Sequence, residues 1–468
     1  MRRLVVLHTN DIHGRTDAIA RIATLVERAS TSTEDPVLYV DAGDVEDRTD
    51  RLSNLTKGIA IHRLLGVAGC RAAAVGNGTV IYYGPGPLVE QSAAGGYPQL
   101  AANLQRAGCV VAGAEASVLL DVDGIDVGLI GLTPADWRDI YASMDLDVPE
   151  GLPLVRENAA ALRRRGADVV ILLSHLGIER DRELAAELDN EISLVIGAHS
   201  HTLLPRGERV GGVTIVQAGS FGEHVGRVEL DLDLEDGVRI AHVAVDPVPC
   251  DTEPHPAVLA EIASIEAELE AWLAEPVGRL NGDLDFSDDR ECAGVAFVAD
   301  VLRERMDAEV GVVVPATALV SALPAGVLTR GALYEACPSP GVSSVADLTG
   351  AQLREIVERG LGPELAAEAP RSLRGARRGL MHLSGAEIRD GQLLVGGRAV
   401  APDRVYRVAA TDWELGTYGG YVPEEWSLDV TWDGTTIIRE AIEDHLRRHP
   451  VVDPPAARIG GRLSVAPG

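Results

Sequence analysis

The chain has 468 residues, of which 46% are hydrophobic and 24% charged, and its formal net charge is −29. Its length exceeds what one hydrophobic core usually organises, so two domains are expected in a globular protein. The negative charge argues against nucleic-acid polymers and anionic membranes as partners, because their phosphate groups repel such a surface. An anionic small substrate is still compatible with this charge if bound metal ions supply local positive charge.

The cysteines and the first residues favour a reducing compartment. Five cysteines are scattered along the chain without a Cys-x-x-Cys pair, a pattern typical of neither a disulfide framework nor a zinc ribbon. Met1-Arg2-Arg3-Leu4 runs directly into a strand pattern, which leaves no room for a signal peptide, and no apolar run is long enough to span a bilayer. The expected location is the cytoplasm, unless the chain is a trimmed mature form.

Buried-strand patterns and amphipathic helical patterns alternate over a first domain, placed at residues 1–250. The predicted strands are Leu4–Leu7, Val37–Val40, Ala72–Val75, Val127–Leu132, Val169–Leu173 and Leu194–Ile196. The predicted helices include Asp17–Ser30, Lys57–Gly66 and Glu157–Arg165. This alternation predicts a layered α/β domain, with functional groups in the loops that follow the strands.

A proline-rich stretch and a plain helical pattern separate this region from a second one. Residues Ala257 to Ala274 contain good helix formers and no internal glycine or proline. We therefore expect a connecting helix within residues 251–275 and a second mixed domain over residues 276–468. Its predicted elements are the helices Gly294–Met306 and Gly350–Gly360 and the strands Val310–Val314 and Tyr406–Ala410.

Five short segments that follow strand patterns carry most of the plausible metal ligands. They are Asp11-Ile12-His13, Gly43-Asp44, Gly76-Asn77, Ser174-His175 and His199-Ser200-His201. Each segment is weak evidence alone, because Asp-x-His triplets occur by chance and a lone buried histidine is usually a core residue. Together they offer the oxygen and nitrogen donors that a pair of divalent cations needs, at strand ends that one sheet edge can gather. Residues i and i+2 of a strand share a face, so His199 and His201 can address neighbouring ions.

The same segments resemble the calcineurin-like metallophosphoesterases, and more narrowly the bacterial 5′-nucleotidase family, which includes UDP-sugar hydrolases and 2′,3′-cyclic phosphodiesterases. Leu7–Gly14 is close to that family's opening, and Val195–Thr202 is close to its last metal segment, with Ala198 in place of the usual glycine. Leu348–Leu353 resembles a signature of the family's C-terminal substrate domain. The resemblance implies an α/β fold: an N-terminal sandwich of two sheets flanked by helices, followed by a smaller α/β C-terminal domain.

The resemblance also implies a site for two divalent metal ions, for which manganese, zinc, iron and magnesium are all suitable. Carried over residue by residue, it assigns one ion to Asp11, His13, Asp44 and His201. It assigns the other ion to Asp44, Asn77, His175 and His199, so that Asp44 bridges the two. A shared carboxylate holds two cations roughly 3.5–4 Å apart, where they can activate a bridging water and neutralise a phosphoryl oxygen.

The segment around Asn77 departs from the family pattern. The family has Gly-Asn-His-Glu-Phe-Asp, whereas this chain has Gly76-Asn77-Gly78-Thr79-Val80-Ile81, so the histidine and the aspartate that orients it are missing. Losing a positioned acid typically costs about 10²–10⁴-fold in rate. Arg48 is the preferred substitute, because a guanidinium beside the metals can clamp phosphate oxygens; a solvated surface charge is the alternative. Other candidates for this role are Tyr82 and Tyr83, for which loop packing is the preferred interpretation, and His62 and His224.

The second domain departs from the family as well. The family's Asn-Gly-Gly-x-x-Arg turn corresponds here to Val314–Val320, and its Pro-Phe-Gly-Asn segment to Cys337–Gly341. Its late Gly-Gly-Asp segment is approximated by Tyr418-Gly419-Gly420-Tyr421, which lacks the acid. Substrate binding is predicted for three aromatic residues that could stack on a base or another flat group, with packing as the alternative role: Trp413, Tyr418 and Tyr421.

We therefore predict a dimetal phosphoric ester hydrolase that acts on a nucleotide or a related small-molecule phosphoester. Asp44 and Arg48 are its predicted catalytic residues, and a hydroxide that bridges the metals is the predicted nucleophile. One alternative is a metal- or ligand-binding protein of weak or no activity, and another is a hydrolase of a sulfur-linked ester. Neither a nucleic-acid polymer nor a membrane is an expected partner, and the oligomeric state does not follow from the sequence.

Overall fold

The chain is described by a computed structural model over residues 2–189, 191–233, 237–339, 341–370 and 377–461. It divides into two units, Met1–Ala267 and Glu268–Gly468, and the division falls inside the helix Pro256–Leu273. The domain boundaries drawn from the sequence, at 1–250, 251–275 and 276–468, stay a prediction.

The first unit alternates strands and helices as the sequence predicts. Its strands are β1 Arg2–Thr9, β2 Val37–Asp41, β3 Cys70–Ala74, β4 Gln99–Leu100, β5 Gln105–Arg106, β6 Cys109–Val110, β7 Ala114–Glu115, β8 Ser117–Val122, β9 Ile125–Leu132, β10 Val169–Ser174, β11 Leu194–Gly197, β12 Glu208–Val210, β13 Val213–Val216, β14 His224–Asp233 and β15 Gly237–Pro247. Its helices are α1 Thr16–Thr31, α2 Arg51–Thr56, α3 Ile59–Val67, α4 Asn77–Tyr83, α5 Leu88–Gly95, α6 Arg138–Ser143, α7 Gly151–Arg164 and α8 Ile178–Glu187, and α9 Pro256–Leu273 spans the division. The predicted strands and helices of this region are confirmed, although α7 begins at Gly151 rather than at Glu157 and α3 begins at Ile59 rather than at Lys57.

Two sheets of the first unit share one hydrophobic core. Their strand orders are β15-β14-β1-β2-β3-β4-β7 and β12-β13-β11-β10-β9-β8. Alternate residues of a strand face the same side, and Leu4 and Val6 of β1 are buried in one cluster with Ile171 and Leu173 of β10. The neighbouring residues of β10 join a second buried cluster with α7 and α8. The predicted sandwich of two sheets flanked by helices is confirmed.

The strands at the centre of each sheet run parallel. β1, β2 and β3 are parallel neighbours in one sheet, and β9, β10 and β11 are parallel neighbours in the other. The carboxyl ends of parallel strands meet at one edge of a sheet, which is where such folds carry their functional loops. Each of the five donor-bearing segments follows one of these strands: β1, β2, β3, β10 or β11.

The second unit is a smaller α/β domain. Its strands are β16 Pro276–Leu280, β17 Val310–Val313, β18 Gly326–Thr329, β19 Val342–Thr349, β20 His382–Ser384, β21 Ala386–Arg389, β22 Gln392–Val395, β23 Arg398–Ala399, β24 Val405–Thr411, β25 Val430–Ile437 and β26 Val451–Val452. Its helices are α10 Ala293–Arg305, α11 Pro315–Ala318, α12 Arg330–Ala336, α13 Gly350–Gly360, α14 Pro363–Ala367, α15 Asp412–Leu415 and α16 Ile438–Arg448, with a 3₁₀-helix at Thr417–Gly419. The predicted helix Gly350–Gly360 is confirmed at both ends, and a capping box between Thr349 and Gln352 fixes its start.

One five-stranded sheet separates two buried clusters of the second unit. Its strand order is β20-β17-β24-β19-β25. Val313 and Ala409 face a cluster that includes α10 and α16, whereas Val312 and Val408 face a cluster that includes α13. In the described parts of both units, no helix is both long and apolar enough to cross a membrane.

Candidate metal centre

Five of the seven predicted metal ligands have a left-handed backbone. The angle φ is 50° at Asp11 and at His13, 52° at Asp44, 69° at His199 and 54° at His201. Residues other than glycine are uncommon in this region, where each costs of order 1–3 kcal/mol. Such strain persists only where the surrounding structure enforces it, and it clusters at functional sites. The loops therefore hold these side chains at an energetic cost.

Three histidines from different strand ends converge on one oxygen of Asp11. Oδ1 of Asp11 lies 3.4 Å from Nε2 of His201, 3.8 Å from Nε2 of His175 and 3.9 Å from Nε2 of His13. The backbone N–H of His199 donates to both carboxylate oxygens, at 3.2 and 3.0 Å. Asp11 is 0% exposed, so this carboxylate depends on the converging groups in place of solvent.

His175 links Asp11 to Asp44. Its Nε2 lies 3.3 Å from Oδ2 of Asp44, while its Nδ1 donates to the carbonyl of Ala42 at 2.8 Å. Burial opposes charge on both partners, but their mutual attraction raises the pKa of His175 and lowers that of Asp44. With Nδ1 occupied by the carbonyl, Nε2 is the atom that faces both carboxylates and can bind a cation.

Asn77 begins α4 beside Asp44. It is 7% exposed, and its Oδ1 has no hydrogen-bond partner within the described residues. A buried polar atom without a partner costs about 1–3 kcal/mol, so an unpaired oxygen beside a carboxylate calls for an explanation. The next residue, Gly78, donates its backbone N–H to Oδ1 of Asp44 at 2.7 Å, which leaves Oδ2 facing His175.

His13 and His201 lie against each other at the more open side of the group. Their Nε2 atoms are 3.2 Å apart, and their side chains are 15% and 39% exposed. The hydrogen bond to Asp11 raises the pKa of His201. The ring of Phe221 packs on both imidazoles, with centroids at 5.5 Å from His13 and 5.7 Å from His201. Phe221, which the sequence did not single out, therefore fixes the orientation of two predicted ligands.

His199 has a neighbour that the sequence-based prediction missed. Its Nε2 lies 3.4 Å from Oδ2 of Asp136, which follows β9 in the same way that the ligands follow their strands. Burial lowers the pKa of His199. A cavity of about 150 Å³ adjoins this position, and its lining includes Asp136, Arg138 and Arg180. The position of Asp136 at a strand end was the available signal for it.

Polar residues behind the site hold the ligand loops. Asn10 donates from Nδ2 to Oδ2 of Asp11 at 2.8 Å and accepts the backbone N–H of Ala218 at 2.8 Å. Gln217 accepts at Oε1 from the hydroxyl of Ser200 at 3.0 Å and from the backbone N–H of Thr202 at 2.8 Å. These bonds anchor the loops after β1 and β11, and so preorganise the donors.

The donor set fits divalent cations. Within the described ranges, one donor atom each from Asp11, His13 and His201 lies within 4.8 Å of the others, and the same holds for Asp11, Asp44 and His175. Carboxylate, imidazole and carboxamide donors suit manganese, zinc, iron and magnesium to different degrees. Nε2 of His175 makes no hydrogen bond within the described residues, although Oδ2 of Asp44 lies 3.3 Å away, and Oδ1 of Asn77 makes none either. An ion would satisfy both atoms. Asp11, rather than Asp44, belongs to both groups, and the bridging role of Asp44 stays a prediction.

Tyr82 occupies the space beside Gly78. A Cβ on residue 78 would lie 3.0 Å from Oδ1 of Asp44 and 3.3 Å from Cε2 of Tyr82. The guanidinium of Arg48 lies over the Tyr82 ring, 4.6 Å from its centroid. The Tyr82 ring therefore lies between the predicted catalytic Arg48 and residue 78, the position at which the family has its histidine.

Two of the other candidates for this role, His62 and Tyr83, have different surroundings. His62 is buried, with Nε2 2.8 Å from Oε1 of Glu46 and Nδ1 2.6 Å from the hydroxyl of Tyr97. The hydroxyl of Tyr83 lies 3.4 Å from that of Ser53 in the protein interior. These contacts are typical of interior packing rather than of a group that meets substrate.

The predicted stacking residues of the second unit are packed together. Trp413 and Tyr421 are 7% and 1% exposed, with ring centroids 5.7 Å apart. The guanidinium of Arg378 lies 4.7 Å from the Trp413 centroid and 5.7 Å from that of Tyr421. Stacking of a base on either ring would require Arg378 to move, so their role in substrate binding stays a prediction. The side chain of Tyr418 lies outside the described part of the chain.

Comparisons with known proteins agree with the motifs. Residues 4–203 match the calcineurin-like phosphoesterase family, and residues 276–423 match the 5′-nucleotidase C-terminal domain. The chain is 26% identical over 428 residues to the uncharacterized metallophosphoesterase YunD of Bacillus subtilis, and this alignment covers 88% of this chain and 92% of that protein. It is 27% identical over 407 residues to the trifunctional nucleotide phosphoesterase protein YfkN of Bacillus subtilis, covering 76% of this chain but 27% of that longer protein.

The fold agrees with solved structures as well. The crystal structure of a 5′-nucleotidase precursor from Thermus thermophilus aligns over 99% of this chain and 100% of that chain, with a TM-score of 0.56 and 22% identity. At this identity the likeness shows the fold, whereas the two domain matches, in their order along the chain, show the family. The chain belongs to the metallophosphoesterases of the 5′-nucleotidase family, which join a calcineurin-like phosphoesterase domain to a 5′-nucleotidase C-terminal domain.

Proposed function

We propose that the protein hydrolyses the phosphate ester of a nucleotide or a related small molecule with the help of two divalent metal ions. The observation that carries this proposal is the convergence of His13, His175 and His201 on Oδ1 of the fully buried Asp11. Neutral imidazoles offer lone pairs as well as protons, so such a group is best satisfied by cations between its members.

The predicted ligands would hold the ions, and two ions bound there would supply Lewis acidity and an activated water. Asp11 and Asp44 contribute the negative charge that attracts cations into the first unit. The backbone N–H of Gly78 occupies one oxygen of Asp44 and so directs the other toward His175. Asn10 orients Asp11 in the same way, through Oδ2. The residues behind the site thus determine which oxygen atoms are free to act as ligands.

Arg48 is the group proposed to stabilise charge on the phosphoryl oxygens. Its support is its position over Tyr82, whose ring lies where a side chain on residue 78 would point. A cation–π contact holds the guanidinium over this ring, and a guanidinium is a group that can clamp phosphate oxygens through its N–H donors. No positioned acid replaces the missing histidine in this proposal. Esters whose leaving groups need little protonation should therefore be the better substrates.

A nucleotide is the proposed substrate class because the second unit matches the 5′-nucleotidase C-terminal domain and a relative is named a nucleotide phosphoesterase. The altered turn at Val314–Val320 and the packed Trp413 and Tyr421 favour a base pocket different from the family's. A second candidate function, metal binding with weak or no catalysis, is favoured by the loss of the histidine at Gly78.

Hydrolysis of p-nitrophenyl phosphate and of its bis-ester by metal-reconstituted protein separates these candidates. We expect turnover that requires added manganese, zinc, iron or magnesium. Binding of metal without turnover of either ester or of any nucleotide in a panel would favour the second candidate. A panel of nucleoside monophosphates, cyclic nucleotides and nucleotide sugars then identifies the substrate among the phosphoesters.

A further inference from the structure

We propose that the second unit carries a separate site for a transition-metal ion, formed by Glu304, His445 and His449. The two histidines lie at the end of α16, and the carboxylate lies on α10. None of the three belongs to the predicted phosphoesterase site, and the proposal does not depend on the function proposed above.

The spacing of the two histidines brings their rings to one side of the helix end. Residues four apart are neighbours on a helix surface, and the backbone N–H of His449 donates to the carbonyl of His445 at 2.8 Å. The two ring centroids are 4.7 Å apart, with an angle of 40° between the planes. The rings of Phe297 and His445 pack at 73° to each other, with centroids 5.6 Å apart, and this contact restricts the rotation of the imidazole.

Both rings direct a nitrogen at the same carboxylate. Nδ1 of His445 lies 3.0 Å from Oε2 of Glu304, and Nε2 of His449 lies 3.1 Å from Oε1. One donor atom from each of the three residues lies within 4.8 Å of the other two. Tetrahedral coordination with bonds of about 2.0–2.1 Å separates ligand atoms by about 3.4 Å, so small shifts would accommodate an ion.

An unsatisfied atom indicates a ligand site rather than a simple ion pair. Nδ1 of His445 is buried and makes no well-formed hydrogen bond with any described residue, although Oε2 of Glu304 is within reach. Two imidazoles and one carboxylate are a ligand set that suits zinc, cobalt and nickel better than magnesium or calcium. The side chains of Glu304 and His449 are 35% and 52% exposed, which leaves room for water in the remaining positions.

Arg448 competes with the ion for Glu304. Its Nη1 lies 2.7 Å from Oε1 of the carboxylate, and an ion bound there has to displace this contact. Removing the guanidinium should therefore raise the affinity for metal, whereas a purely structural ion-pair cluster would gain nothing from that change. The sign of this effect distinguishes the two interpretations.

The test uses the full chain without a polyhistidine tag, freed of metal and titrated with Co²⁺, with visible absorption and bound-metal analysis as the readouts. His449→Gln should bind one ion fewer per chain than the wild type, whereas His242→Gln, which removes an exposed histidine of the first unit, should bind as many as the wild type. Arg448→Gln should bind that ion more tightly, by about two- to fivefold, because the competing ion pair between Arg448 and Glu304 is largely exposed and therefore weak.

Equal cobalt stoichiometry and identical spectra in the wild type and His449→Gln would overturn the proposal. An unchanged or weaker affinity in Arg448→Gln would also contradict it. Hydrolysis of p-nitrophenyl phosphate by His449→Gln should equal that of the wild type, so a failure of the proposed phosphoesterase activity would be recognised independently of this site.

Discussion

Nε2 of His13 lies 3.2 Å from Nε2 of His201, although His13 follows a strand of one sheet and His201 follows a strand of the other. A single proton between two imidazoles can hold such a pair, but Oδ1 of Asp11 lies within 3.9 Å of both rings, which favours a cation. An ion there would connect the two sheets of the first unit at their common edge. The predicted centre is therefore a property of the packed sandwich rather than of any one loop.

Metal content should respond differently to substitution of Asp44 and of Asn77, the two predicted ligands next to Gly78. Asp44→Ala should lose more metal than Asn77→Ala, because a carboxylate beside His175 contributes charge that a carboxamide does not. The measurement is the number of ions bound per chain after dialysis against trace metal. Full retention of metal by Asp44→Ala would refute the ligand assignment.

Arg48→Ala should lower turnover of p-nitrophenyl phosphate by about 10–100-fold while metal content stays at the wild-type value, because its proposed role is in charge stabilisation. Arg51→Ala is the matched control, since Arg51 is an exposed arginine on α2 that pairs with Glu266 at 2.7 Å. Equal activity of Arg48→Ala and Arg51→Ala would assign Arg48 to the solvated surface.

Restoring the family's dyad requires space as well as the correct residues. Gly78→His with Ile81→Asp supplies the histidine and its orienting carboxylate, but the new Cβ would lie 3.0 Å from Oδ1 of Asp44 and 3.3 Å from Cε2 of Tyr82. Of these two neighbours, Tyr82 is the one that can be shortened without removing a predicted metal ligand. The triple variant that adds Tyr82→Ala should therefore exceed both the double variant and the wild type in kcat/KM, by up to about 10²–10⁴-fold. Tyr82→Ala alone is the control, and it should lower activity because Arg48 loses its contact. No gain in the triple variant, with high activity already in the wild type, would mean that another catalytic group operates.

Acid stability should depend on His8, a buried residue of β1 whose ring nitrogens have no hydrogen-bond partner in the described residues. Burial lowers the pKa of His8 to about 3 in the folded protein, against about 6.5 in an unfolded chain. Between these two pH values the histidine is protonated in the unfolded chain but neutral in the folded protein. The free energy of unfolding therefore falls as the pH drops from about 6.5 to about 3, by up to about 5 kcal/mol.

His8→Leu should remove this part of the acid sensitivity. Chemical denaturation at pH 7.5 and at pH 5 provides the measurement, and the loss of unfolding free energy between the two should be smaller in His8→Leu. An identical loss in the wild type and the variant would show that other groups determine the acid response.

The strands that position the site could be predicted because each is a continuous buried run, and the ligands could be predicted because each directly follows such a run. Asp136 also follows a strand, but its contact with His199 depends on how β9, β10 and β11 lie side by side. Tyr82 was interpreted as loop packing because the glycine at position 78 does not suggest a helix there. The structure has a helix at Asn77–Tyr83, in which residues 78 and 82 are one turn apart. The contact of the Arg378 guanidinium with the Trp413 ring joins residues that are far apart in the sequence. No local sequence pattern could have predicted it.

Hydrolysis at a two-metal centre requires that turnover follow the number of ions bound per chain, and a metal titration measures this dependence. Metal-free protein carrying His449→Gln, which removes the proposed ion of the second unit, is titrated with Mn²⁺ in the presence of p-nitrophenyl phosphate and its bis-ester. We predict no turnover without metal and a rise that is complete only when two ions are bound per chain. Full turnover in the metal-free protein, or no turnover of either ester or of any nucleotide with two ions bound, would contradict it.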